Sequence, residues 1–521
     1  MKLFSTKFFP LLQQNRRNHS GVLLSSLFSN KTKTKTQIQT QIITQSSPSY
    51  SLYDRIQTIR DSKTSVVPVL DKWVGEGNIV DKRKLHNLVR VMKEFKRFHH
   101  ALEISQWMTD RCLASSSSDV ALRLDLIHRI HGIEHAEKYF NTISNDLKTP
   151  NVYGALLSLY AQETSVERAE AIMQKMREMG FATSSFPYNM LINLYIKTGD
   201  YDKIDRLMQE MGEKAIPLDK YTVRNRIAAY IAASDLSGME RVLNRVEENH
   251  NFVVDWDLYS LAASGYVKLG LIEKALVMIE KMERLIPPRK NKLAFEFLLT
   301  LYASTGMKNE LYRVWNKYKP SNNEMNASHN EMNASHACMI TCLAKLDDIE
   351  GAEKIFEEWE SKCTMYDFRV LNRLLVAYCR KGLIEKAESA LNKAVEGRKP
   401  YASSWNVLAT GYVEQSQMLK AVEMLKRAIS VGRGRWSPTS VTLDPCLDFL
   451  EGKGDVGGIE DIIKSLKKPL TRDIYHRWLR TCVAAGDSVS EVLDQMELDG
   501  FSVDEETDKI LKTGQSVEGA I

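Results

Sequence analysis

The sequence predicts an all-α protein built as an array of about 11–12 two-helix units of roughly 35 residues each. Three observations predict it. Between Ser185 and Asp219, two apolar stripes with helical spacing flank a glycine: Tyr188, Leu191, Ile192 and Tyr195 precede Gly199, and Ile204, Leu207, Met208 and Met211 follow it. Glycine suits the reversal because it reaches positive φ without strain. The residue that opens the second stripe recurs at Ala101, Ala136, Ala169, Ile204, Met239, Ala275, Leu311, Ala352, Ala387, Ala421, Ile459 and, loosely, Glu491, at a mean spacing of about 35. At 521 residues a single core would be oversized, whereas stacked hairpins each bury their stripe on a neighbour.

Taken in order, the chain opens with residues 1–53, which carry seven Lys/Arg and no Asp or Glu. They are rich in Ser and Thr, and Leu3, Phe4, Phe8, Leu11 and Leu12 can share one helical face. This composition predicts an organelle presequence and linker over 1–48, mitochondrial rather than chloroplast. Gln13–Arg17 interrupts the apolar run too early for a secretory signal, and Val22–Phe28 is too short to span a bilayer. The net charge of +5 comes from this segment; the remainder holds 64 basic against 66 acidic residues. Global charge therefore does not select a nucleic acid, and any such binding must come from local patches.

The array is expected over 52–512, starting near Leu52, clearest over 151–430, with a tail at 513–521. Several features keep step with the shared position. Tyr160, Tyr195, Tyr230, Tyr266, Tyr302, Tyr378 and Tyr412 close the first helices, and Gly199, Gly270, Gly306 and Gly382 mark the turns. Seven residues past the shared position stands Met108, Met176, Met211, Met282 or Trp359. Because their period is that of the array, the Tyr and Met stripes read as packing. The one long interval, from Leu311 to Ala352, holds NEMNASH twice, at Asn323–His329 and Asn330–His336. It reads as a loop insertion between hairpins, where extra residues are tolerated.

No catalytic constellation emerges. The seven cysteines are odd in number and show no C-x-x-C pair, so neither a zinc site nor a disulfide framework is indicated. His135-Ala136-Glu137 matches the H-x-E half of a zinc deaminase signature, but it falls inside a second helix and no C-x-x-C follows. Asp347-Asp348 reads as a turn. No enzyme activity, metal, cofactor, small-molecule substrate or membrane span is expected.

The segments YNMLINLYIKTGDYDKIDRLMQEM from Tyr188 and YSLAASGYVKLGLIEKALVMIEKM from Tyr259 resemble pentatricopeptide repeats of the plain-repeat class, plant mitochondrial type. Tetratricopeptide repeats share the period but place a small residue in the first helix and a closing proline, and closing prolines here are sporadic. The resemblance covers about residues 80–500 and implies a right-handed superhelical α-solenoid with single-stranded RNA on its concave face, one hairpin per nucleotide. Carried over residue by residue, Asn189 with Asp219 resembles the family's uridine-type pair, with Phe186 and Tyr221 sandwiching the base. Ser260 with Asn291 resembles the adenine-type pair. Arg224 with Asp255 occupies the same positions but departs from the pattern, as do Gly154 with Ser184, Ala337 with Asp367, and Asn372 with Tyr401. Glu296 puts a carboxylate at a reading position, where it would repel phosphate.

Two functions follow as expectations. The first is sequence-selective binding of organellar RNA, acting on transcript stability, processing or translation. The second is a protein-binding scaffold, for example a mitochondrial ribosome-associated component. The first expects Phe186, Asn189, Asp219 and Tyr221 to converge on the concave face, and the reading of a base by these four fails if Asn189 is buried in the interhelix core.

Overall fold

A computed structural model describes residues 51–59, 64–113, 116–249, 253–286, 292–319, 329–432, 436–466 and 470–518. The presequence expected over 1–48 lies outside them, as does Asn291. The chain divides into two compact units, one up to Ala182 and one from Thr183. Among the described residues there is no strand.

The first unit holds α1 (Leu52–Thr58), α2 (Val67–Gly75), α3 (Lys82–Glu94), α4 (Phe98–Asp110), α5 (Ser117–His131), α6 (Ile133–Thr142), α7 (Pro150–Gln162) and α8 (Val166–Glu178). The second opens with α9 (Ser185–Thr198), α10 (Tyr201–Glu213), α11 (Lys220–Ala233), α12 (Leu236–Glu248), α13 (Trp256–Lys268), α14 (Ile272–Leu285), α15 (Lys292–Ser304), α16 (Lys308–Tyr318), α17 (His329–Lys345) and α18 (Ile349–Lys362). It continues through α19 (Phe368–Arg380), α20 (Ile384–Val395), α21 (Ala402–Glu414), α22 (Met418–Val431), α23 (Ser440–Lys453), α24 (Val456–Ser465), α25 (Arg472–Ala485), α26 (Ser490–Leu498) and α27 (Glu505–Glu518). The last helix thus runs past 512, into the stretch expected as a tail. Within each unit, a first helix packs on its own second helix and on the first helix of the next hairpin. The fold is a helical-repeat solenoid.

The shared position is the pivot of every hairpin. Ala101, Ala136, Ala169, Met239, Ala275, Leu311, Ala352, Ala387, Ala421 and Ile459 are wholly buried, because a small or slim side chain lets the second helix approach its partner. Glu491 is exposed and does not take this role; Val492, one residue on, is buried in its place. Met108, Met176, Met211, Met282 and Trp359 are buried one side-chain row further along. Five residues before the shared position the chain reverses at positive φ, as at Gly199 (φ 84°), except before Ala136, where Gly132 stands four residues ahead.

The closing tyrosines do more than pack. Tyr160 donates its hydroxyl to Glu137 (2.7 Å), Tyr266 to Glu240 (3.1 Å) and Tyr378 to Glu353 (2.8 Å). Each glutamate follows the shared position of the preceding second helix. A base from the tyrosine's own second helix reaches the same carboxylate: Arg168 at 3.1 Å, Lys274 at 2.8 Å and Lys386 at 3.2 Å. Burial and the neighbouring carboxylate push these phenol pKa values up, so the hydroxyls stay donors at neutral pH. One carboxylate thereby ties two hairpins in register. Glu137 belongs to the H-x-E match, and this structural use accounts for it.

The duplicated heptapeptide is only in part a loop. Its second copy is helical and forms the start of α17. Asn333 Nδ2 donates to Asp367 (3.1 Å) while its Oδ1 accepts from the Trp359 indole (2.8 Å), and His336 lies edge-on to Trp315. Residues 323–328 of the first copy lie outside the described residues. Deleting Asn323–His329 produces the same polypeptide as deleting Asn330–His336, and either leaves one copy to start the helix. Connection length weighs little on stability, so the deletion is expected to leave the melting temperature within about 2 °C of the parent. A fall beyond about 5 °C in a thermal melt would mean both copies hold the fold.

Candidate nucleic-acid interface

The first helices line up one residue per hairpin, fifteen before the shared position, as Asn189 stands before Ile204. In the second unit the row reads Asn189, Arg224, Ser260, Glu296, Ala337, Asn372, Asn406 and Asp444. At five of these positions a short polar side chain four residues further on bonds back to the carbonyl of the row residue. Asn193 does so to Asn189 (2.9 Å), Ser264 to Ser260 (2.8 Å), Thr300 to Glu296 (2.8 Å), Thr341 to Ala337 (2.8 Å) and Thr410 to Asn406 (2.9 Å). These i to i−4 bonds draw the polar groups against the helix and keep that face low.

Asn189 and Asp219 meet. Asn189 Nδ2 donates to Asp219 Oδ1 at 3.2 Å, and Asp219 also accepts from Ser185 Oγ (2.7 Å), Thr222 N (2.7 Å) and Thr222 Oγ1 (2.9 Å). Asp219 is the N-cap of α11, which is why the last residue of a unit is so often Asp. Burial pushes its carboxyl up, but the bonds from Ser185, Thr222 and Asn189 outweigh it and hold the pKa below the usual carboxylate range. Asn189 itself is 4% exposed. Its side-chain partner is on the cap of the next first helix, so its amide sits at the seam between α9 and α11. Its Oδ1 is buried and accepts no hydrogen bond among the described residues.

The same arrangement recurs twice. Asn372 Nδ2 donates to Ser403 Oγ (3.2 Å) and Asn406 Nδ2 to Thr442 Oγ1 (3.3 Å), and in both the Oδ1 is enclosed without a partner. A buried acceptor left open costs roughly 1–3 kcal/mol, so three of them in one register call for an explanation. Asn406 had not been singled out from the sequence, although its offset of fifteen from Ala421 matches that of Asn189.

The remaining candidates fall differently. Phe186 and Tyr221 are half-buried on the first turns of α9 and α11. Arg224 forms its ion pair with Asp257 (2.7 Å), while Asp255 is exposed and caps α13 through Trp256 N (2.8 Å). Ser260 is buried. Asn291, its expected partner, lies outside the described residues.

Glu296 has one enclosed carboxylate oxygen without a hydrogen bond, and Lys292 stands 3.9 Å away. Burial pushes its pKa up, only partly offset by Lys292. A raised folded-state pKa favours the neutral acid in the fold. The stabilisation is complete below the ordinary glutamate value and is lost as pH rises through the folded one. Glu296→Gln is therefore expected to raise the melting temperature at pH 7–8 and to change it little at pH 4. A lower melting temperature at pH 8 would contradict this.

Among the described residues, no group of three or more His, Cys, Asp or Glu is placed to hold a metal ion, and no helix is long and apolar enough to cross a membrane.

Comparison with known proteins places the chain. A PPR repeat model matches residues 186–216, 258–285, 335–363, 369–397 and 403–432, and a pentatricopeptide repeat domain model matches 147–198. A mitochondrial pentatricopeptide repeat-containing protein of Arabidopsis thaliana is 40% identical over 81% of this chain and 85% of its own length. A large ribosomal subunit protein of the same plant is 38% identical over 88% of this chain and 94% of its own length. The crystal structure of the pentatricopeptide repeat protein PPR10 from maize aligns with 93% of this chain and 80% of its own, at 16% identity and a TM-score of 0.33. At that score it adds nothing to the assignment, which the sequence relatives carry: the chain belongs to the pentatricopeptide repeat family.

Proposed function

We propose that this protein binds single-stranded RNA with base selectivity in plant mitochondria and acts on the stability, processing or translation of organellar transcripts. The observation that carries the reading is the set of oriented amides at Asn189, Asn372 and Asn406. Each anchors its NH2 on the next hairpin and leaves its Oδ1 enclosed and without a hydrogen-bond partner among the described residues. A base edge with an N–H donor, such as N3–H of uridine, satisfies such an acceptor once the side chain turns out of the seam between first helices, and the direction of the amide makes the contact selective. Phe186 and Tyr221 supply flanking π-faces for the base at Asn189. Ser260 and Asn291 are the second reading pair, and Arg224 adds a cation. The reading assigns binding rather than catalysis.

Mitochondrial placement rests on the basic, acid-free residues 1–53 and on relatives named as mitochondrial. One relative named as a large ribosomal subunit protein, together with the near-neutral array, favours a second reading in which the same face holds polypeptide. Ultraviolet crosslinking of the tagged protein in mitochondria, followed by sequencing of attached RNA, separates the two. The RNA reading expects crosslinks concentrated at one or a few single-stranded transcript segments. Crosslinks confined to ribosomal RNA, with loss of the protein from ribosomes on salt washing, would favour the scaffold.

A further inference from the structure

The array is near neutral as a whole, so a local excess of one charge stands out. From Lys82 to His100, on α3 and the start of α4, the chain holds seven Lys/Arg against one acid, Glu94. Asp81, just ahead, is taken up as the N-cap of α3. Three of the seven cations are committed within the first unit. Lys82 reaches Asp119 (3.2 Å) and Lys93 reaches Asp125 (2.6 Å), both on α5, while Arg97 donates to the carbonyls of Ile56 (3.1 Å) and Ile59 (2.9 Å). The other four, Arg83, Lys84, Arg90 and Lys96, are exposed and form no ion pair among the described residues.

The helix sets them out for a long anion. α3 buries Leu85, Leu88, Val89 and Met92, and at helical spacing Arg83, Asn87 and Arg90 fall on the opposite face. Arg83 and Arg90 are then about 10 Å apart along the axis. Lys84 and Phe95 lie on an adjoining flank, and Lys96 follows in the turn to α4. Phe95 is 63% exposed, a bare ring among the cations. His86, fifteen before Ala101, is turned to Asp119, so this hairpin offers charge and one ring in place of a reading group. Guanidinium forks match phosphate oxygens, an ammonium meets them as a point charge, and every base has a face that can stack on an aromatic. A bilayer would call for a stripe of apolar side chains beside the cations, and α3 offers one ring. We infer that α3 and the turn after it hold the backbone of single-stranded RNA, with Arg83, Lys84, Arg90 and Lys96 on phosphates and Phe95 stacked on a base of any identity. The inference rests on the RNA-binding reading above and adds to it a contact that carries no sequence preference.

The test is binding of oligouridine and of oligoadenine by the full chain over a series of salt concentrations, with a thermal melt of each variant. The α3 variant combines Arg83→Gln, Lys84→Gln, Arg90→Gln and Lys96→Gln. A control removes the same charge from exposed positions on second helices, with Arg241→Gln, Arg245→Gln, Lys354→Gln and Lys393→Gln. The α3 variant is expected to bind both RNAs at least about tenfold more weakly near physiological salt. Its slope of log affinity against log salt should be shallower by about 2–3, at roughly 0.7 per phosphate contact, while the control keeps the parental slope. An α3 variant with the parental slope, or a control that falls as far, overturns the inference while the RNA reading stands. So does a loss confined to one of the two RNAs, because backbone contacts do not discriminate. A parent that binds neither RNA overturns it too, since such a surface takes any single strand; the RNA reading is then judged by the mitochondrial crosslinks. Phosphatidylglycerol vesicles that retain the parent and not the α3 variant, with equal RNA affinity in the two, assign the face to lipid and overturn it. Should the α3 variant melt below the parent, the four single substitutions decide. Each is expected to lower the slope by about 0.7, and parental slopes in all four overturn the inference.

Discussion

Trp359→Ala is expected to cost about 3–5 kcal/mol of local stability, the largest single effect of any substitution considered for this fold. The indole is fully buried, donates to Asn333 Oδ1 at 2.8 Å and meets the Tyr366 ring at a centroid distance of 5.2 Å. Truncation removes the packing and leaves the buried Asn333 oxygen without its donor, so cavity and polar terms act together. In an array each hairpin is coupled to its neighbours only, so the loss should be local rather than spread over the chain. Hydrogen exchange read by mass spectrometry is the measurement. Amides of α17–α19 should exchange at least about 100-fold faster, with α9–α12 unchanged. A uniform change across the second unit, or one below about fivefold, would contradict the nearest-neighbour description.

Phe186→Ala is expected to weaken RNA binding by about 5- to 150-fold, because stacking on one aromatic is worth roughly 1–3 kcal/mol per base. Phe186 is half-buried on the first turn of α9, so the fold should tolerate its loss. Tyr221→Ala should act similarly from the other side of the base. The two changes are expected to be less than additive, since a base freed on one side stacks less well on the other. Gel shifts on a crosslink-derived RNA, with melting temperatures taken in parallel, read the effect. An unchanged affinity at unchanged stability would remove these residues from the interface.

The fold was legible because the array repeats one solution. A single offset places the shared small residue, the turn five residues earlier and the reading residue fifteen earlier, and the structure follows that register from Ala101 to Ile459. Where the register weakens, the sequence misleads by one step. Glu491 fits the spacing only loosely, and burial selects the apolar Val492 beside it. The heptapeptide was ambiguous for a different reason: two identical copies cannot show which of them joins α17. Of the candidate site, the positions and the Asn189–Asp219 pairing could be read, but the other partners could not. The Ser185–Asp219 bond and the Arg224–Asp257 pair depend on how neighbouring hairpins meet, and that distance in space has no fixed spacing in sequence. The glutamates that receive these tyrosine hydroxyls did carry a signal, standing one residue past the shared position at 137, 240 and 353.

The central claim, base-selective binding of single-stranded RNA by the row of first-helix residues, is tested most directly at Asn189 and Asp219. The measurement is a gel-shift series on one bound RNA in which each nucleotide is varied in turn, for the parent and for Asn189→Ser with Asp219→Asn. Asparagine caps a helix about as well as aspartate, so the double variant should keep the α11 cap and the fold. The account predicts that a single nucleotide changes its preference from uridine to adenine while affinity for the rest of the RNA holds. A variant that loses affinity equally for every RNA, or none for any, would contradict it.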